Sequence, residues 1–349
     1  MARVVLVTGV SRYLGGLLAR RLVAHPGIER VVGVDVIPPP QDIGAVEFVR
    51  ADIRNPMISR VIEQAGVDTV VHMNVIATPT FVGGRTPQKE INVIGTMQLL
   101  AACQKSTTVR RLVVKSSAAV YGSTSRDPAL FTEDMSARRS PRGGFGKDSI
   151  EVEGYVRGFA RRRPDVEILM LRFANVLGPK IRTSVTDYFS LPVVPVPLGY
   201  DARMQFVHED DAIDALVLGT TGAATGVVNV AGDGVVTVHQ AVAMAGRPML
   251  PVPLQSAGLV GGVTRRLGLA DFSPDQMSFL AFGRGLDTTR MRSVLGFEPR
   301  FTSREAFAAF ARTLGAGAPG PQMVTAAVSG VAGIAGHAVL RSLGAGGAR

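Results

Sequence analysis

Near the amino terminus, glycines and carboxylates fall at a spacing that could hold a nucleotide. Thr8-Gly9-Val10-Ser11-Arg12-Tyr13-Leu14-Gly15-Gly16 follows the apolar run Val4–Val7 and leads into the helical pattern Leu17-Leu18-Ala19-Arg20-Arg21-Leu22. Between a strand and a helix, glycines let the backbone turn tightly, let a pyrophosphate approach the helix amino terminus, and let helix pack on strand. Gly9 and Gly15 hold the first and last positions of a Gly-x-x-Gly-x-x-Gly loop, with Arg12 in place of the middle glycine. The Arg12 side chain either swings out to pair with a phosphate or closes the loop, and the residues leave both open. Asp35 lies 20 residues beyond Gly15, at the end of the second apolar run. A carboxylate there accepts hydrogen bonds from an adenosine ribose and repels a 2′-phosphate, which favours NAD over NADP. Asp52 and Ile53, after the third run, suit an adenine amino group and its apolar face. A glycine loop alone is a weak signal; the loop, Asp35 and Asp52-Ile53 in this order make a specific one.

These residues need a scaffold, and the first half of the chain supplies its pattern. Apolar β-branched runs at Val4–Val7, Arg30–Val34, Glu47–Arg50, Thr69–Met73, Arg111–Lys115 and Glu167–Arg172 read as strands. Helical patterns at Gly15–Ala24, Pro56–Gln64, Pro87–Gln104, Phe145–Arg163 and His208–Leu218 alternate with them. That rhythm predicts βαβ units, hence an α/β fold: a Rossmann-type doubly wound parallel sheet with a smaller carboxy-terminal lobe facing the substrate. The expected division is a dinucleotide-binding part over 1–178, to which 203–240 returns, and a substrate-facing lobe from 179–202 and 241–313. The lobe is rich in Pro and Gly around Leu191–Pro197 and Arg247–Pro253. From 314 to 349 the chain becomes a Gly/Ala-rich tail, whose apolar stretch Met323–Leu340 is diluted by small residues and interrupted by His337. A membrane helix needs about 20 strongly apolar residues, so no membrane span is expected there.

Bulk properties agree with a soluble globular chain. Of 349 residues 46% are hydrophobic, too many for a disordered protein. The lone cysteine, Cys103, sits in an apolar helical run, so no internal disulfide forms and a reducing cytoplasm fits best. The amino terminus enters the first strand at once, without a secretory pattern. No metal-ligand cluster is expected. The formal charge of +10 raises a polyanion partner, but only five of 38 basic residues are lysines. An arginine excess beside much Ala, Gly, Val and Pro favours a compositional bias over a selected nucleic-acid site.

Further motifs carry a resemblance. Val70-Val71-His72 follows the fourth strand, Asn92-Val93-Ile94-Gly95-Thr96 opens the long helix, and Ser116-Ser117-Ala118-Ala119-Val120-Tyr121-Gly122 closes the fifth strand. Thr132-Glu133-Asp134, Leu171–Pro179 and Phe206-Val207-His208-Glu209-Asp210-Asp211 follow in order. With these the chain resembles the extended short-chain dehydrogenase/reductases, the NAD-dependent nucleotide-sugar epimerases and dehydratases, from Val4 to about Phe301. The resemblance implies NAD as cofactor, held by Thr8, Gly9, Arg12, Tyr13, Leu14, Gly15, Asp35, Asp52, Ile53, Asn74 and Asn92. It also implies a nucleotide-sugar-like ligand, and a homodimer through the helices beginning near Pro87 and Phe145.

In that family a Tyr-x-x-x-Lys pair, supported by a serine, moves the proton while the nicotinamide takes or gives hydride. A phenol titrates near pH 10 in water, so the lysine cation must help lower its pKa. Ser117, four residues before Tyr121, matches the serine. Phe145 stands at the tyrosine position and Ser149 at the lysine position, so both the proton-carrying hydroxyl and its activating cation are missing. Lys147 does not replace the cation, because two residues along a helix turn a side chain by about 200°. Tyr121 and His208 are more often structural than catalytic at these positions. Asn74 adds bulk where a small residue usually faces the cofactor, and Met204 stands where a phosphate-binding arginine is common, leaving Arg290 or Arg292 to meet a diphosphate. Three readings follow: an enzyme with an unconventional acid/base, a nucleotide-binding sensor or scaffold without turnover, and, least favoured, an RNA-binding relative.

Overall fold

The computed structural model describes residues 4–78, 83–141, 143–254 and 274–315; the expected tail beyond 315, with its Met323–Leu340 stretch, and part of the second lobe lie outside the described residues. In chain order the elements are β1 (Val4–Thr8), α1 (Tyr13–Val23), β2 (Arg30–Asp35), β3 (Glu47–Arg50), α2 (Ile58–Ala65) and β4 (Thr69–His72). After β4, α3 (Arg85–Lys89) passes through a π-helical turn, Glu90–Ile94, into α4 (Gly95–Lys105). β5 (Arg111–Ser117), α5 (Gly144–Arg162), β6 (Glu167–Phe173), β7 (Asn175–Leu177), α6 (Ser184–Phe189), β8 (Val194–Pro197), β9 (Arg203–Met204) and β10 (Phe206–His208) follow. The chain continues with α7 (Glu209–Thr221), β11 (Gly226–Val230), β12 (Val236–Thr237), α8 (Val238–Met244) and β13 (Met249–Val252). Helices at Pro274–Phe282, Thr289–Ser293 and Ser303–Ala311 complete it.

Seven strands form one sheet in the order β11-β6-β5-β4-β1-β2-β3, all paired in parallel. Parallel strands are buried on both faces, which is why their sequences read as continuous apolar runs. On one face Val5, Val7, Val71, Val113 and Leu171 pack with Leu18 and Leu22 of α1 and Ile213 and Leu216 of α7. On the other, Leu6, Val70, Leu112, Val114 and Met170 pack with Ile62 of α2, Leu99 of α4 and Val152 and Phe159 of α5. Chain order reverses between β1 and β4, so a crevice opens beyond their carboxy ends, where ligands of open α/β sheets bind.

Only part of the 203–240 segment returns to this layer. α7 packs on α1 and β11 edges the large sheet, whereas β9 pairs antiparallel with β12, and β8 pairs in parallel with β13, away from it. Met204, Phe206, Val236 and Val238 are buried with Tyr188, Phe189, Phe307 and Phe310 there. Met204 is thus core, buried against aromatic rings. The helix boundaries shift by one to three residues from the sequence reading. α1 begins at Tyr13 rather than Gly15, because Arg12 already has the extended backbone of a helix cap.

Candidate functional site

The glycine loop keeps the backbone its spacing demands. Gly9 has φ +77°, left-handed, and its N–H donates to the Val34 carbonyl at 2.9 Å, joining β1 to β2. A β-carbon on Gly15 would collide with the Gly9 carbonyl, so both glycines are required for the turn. The first turn of α1 carries no acidic residue and Arg12 provides no side-chain cap. The first N–H groups of a helix have no partner within it, and the macrodipole makes that end attractive to an anion. The site therefore fits a diphosphate. Asp35 accepts the N–H of Ser11 at 3.0 Å and of Val36 at 2.8 Å, and its carboxylate retains lone pairs for ribose hydroxyls.

The Arg12 guanidinium makes no hydrogen bond or ion pair among the described residues, while its carbonyl accepts the Gly16 N–H and the Gln41 amide. Burial lowers its pKa and the charge of Asp35 opposes that. The side chain is half-buried, and its nitrogens keep some accessible surface. Asn74 lies against Gly9, whose β-carbon would sit 3.4 Å from the Asn74 Cα.

Other expected cofactor residues also make contacts within the chain. Both oxygens of Asp52 accept from the Arg54 guanidinium, and Ile53 is buried under Gly95. Leu14 packs on the α1-side core and offers only its backbone. The Tyr13 hydroxyl donates to Glu209 at 3.2 Å, and burial first, then Glu209, push its pKa up to about 12. Asn92 is wholly buried. Its carboxamide accepts from Ile76 N–H and donates to the Ile76 carbonyl and to Asp148, which leaves nothing for a ligand; it holds the loop after β4.

The Thr8 hydroxyl is likewise internal. Thr96 donates its hydroxyl proton to the Asn92 carbonyl, so His72 must donate Nε2–H to Thr96 Oγ1 at 2.8 Å. His72 Nδ1 then accepts from Thr8 Oγ1 at 3.0 Å, and Thr8 accepts the Met73 N–H. Every proton in this chain is assigned only if the imidazole is neutral. Burial, with the charge of Lys115 second, pushes the His72 pKa down to about 4.

Lys115 was not singled out by the sequence. It stands in β5 two residues before Ser117, on the same strand face by the period of two, and directly after three apolar residues. A charge closing such a run is a signal that could have found it. Burial and then the charge of Arg12 push its pKa down to about 8. Its ammonium has no hydrogen-bond or ion-pair partner among the described residues.

Beyond this lies the catalytic end. Ser117 accepts the Ala119 N–H at 3.1 Å, and its own hydroxyl proton finds no acceptor among the described residues. Gly146 brings the start of α5 onto this turn, since a β-carbon there would lie 3.1 Å from the Ala119 carbonyl.

The sequence profile of the NAD dependent epimerase/dehydratase family matches residues 5–231. The chain belongs to this family. An uncharacterized protein of Mycobacterium tuberculosis is 46% identical over 309 residues, covering 87% of this chain and 82% of the relative. A UDP-glucose 4-epimerase of Mycolicibacterium smegmatis is 26% identical over 326 residues, covering 87% and 96%. The solved UDP-glucuronic acid 4-epimerase from Bacillus cereus, in complex with UDP-glucuronic acid and NAD, superposes with TM-score 0.67 at 19% identity, covering 89% of this chain and 98% of that one.

Where the epimerase/dehydratase family resemblance expects its proton-transfer pair, Phe145 and Ser149 share a face of α5: Ser149 donates to the Phe145 carbonyl at 2.9 Å. Phe145 packs partly on the α5-side core and Lys147 is exposed. Tyr121 is buried, donates to Asn229 and accepts from Arg172, while His208 accepts the Asp210 N–H as the cap of α7. The Tyr121 hydroxyl is thus taken up by protein partners, and His208 Nδ1 by the helix cap. A small cavity beside Ser117 is lined by Phe173, Asn175, Gln205, Phe279 and Arg284. Arg284 donates to the Gly122 carbonyl and to Ser123, and its burial lowers its pKa to about 10. A wider cavity outside it is lined by Leu130, Val235, Asp287, Thr288 and Arg292. Arg292 is held there by Asp233 and Glu298, and Arg290 pairs with Asp134. Among the described residues no metal-binding cluster is present and no helix is long and apolar enough to cross a membrane.

Proposed function

We propose that this chain is a cytoplasmic protein that binds NAD and a nucleotide sugar, with the family's Tyr-Lys proton route removed. The observation that carries this reading is the pair Phe145 and Ser149, one helical turn apart on α5, with the Ser149 hydroxyl tied to the Phe145 carbonyl. The amino end of α1 with Arg12 would hold the diphosphate of NAD, and Asp35 would hold the adenosine ribose. Asp35 also disfavours a 2′-phosphate, which supports NAD over NADP. Bound NAD would supply hydride acceptance at the nicotinamide. Ser117 can orient a sugar hydroxyl by donating to it, but a serine beside phenylalanine cannot remove that proton at neutral pH. The wider cavity with Arg292, about 680 Å³, would receive the nucleotide sugar, whereas the cavity beside Ser117 and Arg284, about 10 Å³, has no room for a sugar ring unless its walls move apart. Retained binding with lost proton transfer supports a sensor or scaffold role over turnover. Exposed Ile94, Met97 and Tyr155 on the α4 and α5 side support a homodimer through these helices.

Calorimetric titration with NAD, NADH, NADP and NADPH, after removal of any cofactor retained through purification, tests the reading. Micromolar NAD or NADH binding with no turnover of UDP-sugars is expected. The double variant Phe145→Tyr/Ser149→Lys should gain measurable hydride exchange, seen as reduced nicotinamide at 340 nm. Steady turnover by the unaltered protein would overturn the non-catalytic part, and absence of binding to all four would overturn the whole.

A further inference from the structure

We propose that Arg12 and Lys115 form a two-cation clamp for the diphosphate of a bound nucleotide, closing on it from the loop and from the sheet. The inference deepens the dinucleotide reading above and rests on it. The two side chains come from separate elements, the cap of α1 and the carboxy end of β5, and the register that pairs Thr8 with His72 and His72 with Val114 sets Lys115 level with Gly9, at the start of the loop that carries Arg12; the charge of Arg12 acts on Lys115 in keeping with that placement. Both are half-buried, and neither donates a hydrogen bond or makes an ion pair among the described residues. Their unpartnered nitrogens are not fully buried. The charged groups acting here are Asp35, which faces Arg12, and His72, which feels Lys115 and is itself neutral. One carboxylate, already accepting two backbone N–H groups, does not balance two cations.

Burying a cation without a partner is unfavourable, and placing a second one beside it is more so. Elsewhere this fold avoids the problem: Arg172 and Arg85 each meet a buried carboxylate. A dianionic ligand removes the conflict at the loop. Arg12 would also stand in for the missing middle glycine, its guanidinium donating to a phosphate where bare backbone would otherwise approach.

The test is calorimetry of the full chain with NAD, ADP-ribose, ADP and inorganic pyrophosphate, for the unaltered protein and for Arg12→Ala, Lys115→Met and Lys115→Gln. Thermal melts accompany each variant, and the glutamine variant covers a methionine variant that fails to fold. Each substitution should weaken NAD and ADP-ribose by roughly ten- to hundredfold and flatten the salt dependence of binding. Binding at pH 8 should take up about half a proton in the unaltered protein, read from buffers of different ionisation enthalpy, and none in Lys115→Met. If NAD binds all variants alike, the clamp is overturned and the dinucleotide reading stands. If NAD and ADP-ribose fail but ADP or pyrophosphate binds through Arg12 and Lys115, the clamp stands and the dinucleotide reading falls. If nothing binds the folded unaltered protein, both fall.

Discussion

At the carboxy end of β5 the two faces carry charge in opposite ways. On the α5 side Ser116 donates to Glu153, which pairs with Arg172 at 2.7 Å. Arg172 also donates to Tyr121 and to the Glu133 carbonyl, and Tyr121 continues to Asn229, whose N–H reaches the Glu133 carboxylate. Every member has a partner, and Glu153 keeps a lowered pKa although burial works against its ionisation. On the α1 side Lys115 has no hydrogen-bond or ion-pair partner among the described residues, and the charge that acts on it is another cation, Arg12. A satisfied network locks strands to helices. An unsatisfied one, at the carboxy end of a parallel sheet, is a place for something not part of the chain.

Breaking the satisfied side should have the largest effect. Glu153→Gln leaves Arg172 buried with its charge uncompensated, and should destabilise the protein by about 3–5 kcal/mol in denaturant unfolding. A loss below about 1 kcal/mol would erase the distinction between the two faces. Next comes His72, whose pKa of about 4 lies below the ordinary 6.5. The unfolded chain binds the proton more readily, so this contribution is complete above pH 6.5 and is lost as pH falls toward 4. It amounts to about 3 kcal/mol at most. Unfolding midpoints across that window should slope for the unaltered protein and flatten in His72→Gln; an unchanged slope would assign the effect to another group.

The smallest effect should have the opposite sign. Lys115 has a pKa of about 8 against an ordinary 10.5, so its charge opposes folding below pH 8 and the penalty fades as pH rises toward 10.5. Lys115→Met should therefore raise ligand-free stability by about 1–2 kcal/mol at pH 7, and by nothing near pH 11. Stability lost at pH 7 would show that Lys115 belongs with the satisfied network.

Much of the scaffold was legible because it rests on local rules. A strand buried on both faces reads as a run of Val, Leu and Ile, and the turn into α1 needs Gly9 and Gly15 wherever it occurs. That Phe145 and Ser149 share one face of α5 was legible too, since four residues on a helix bring side chains to one face. Several cofactor assignments were less so. Asn92 and Thr8 have the right types in the right order, yet their polar atoms answer Asp148, Ile76 and His72, residues up to 64 positions away.

Order of elements, turn chemistry and the face shared by Phe145 and Ser149 are thus set by the sequence alone, because each depends on residues within a few positions of one another. Which polar groups are matched was decided only by the tertiary structure. Arg172 finds Glu153, His72 is held neutral between Thr8 and Thr96, and Lys115 feels the charge of Arg12. Burial and Coulomb interaction act through space, and the folded sheet fixes those distances for residues far apart in the chain.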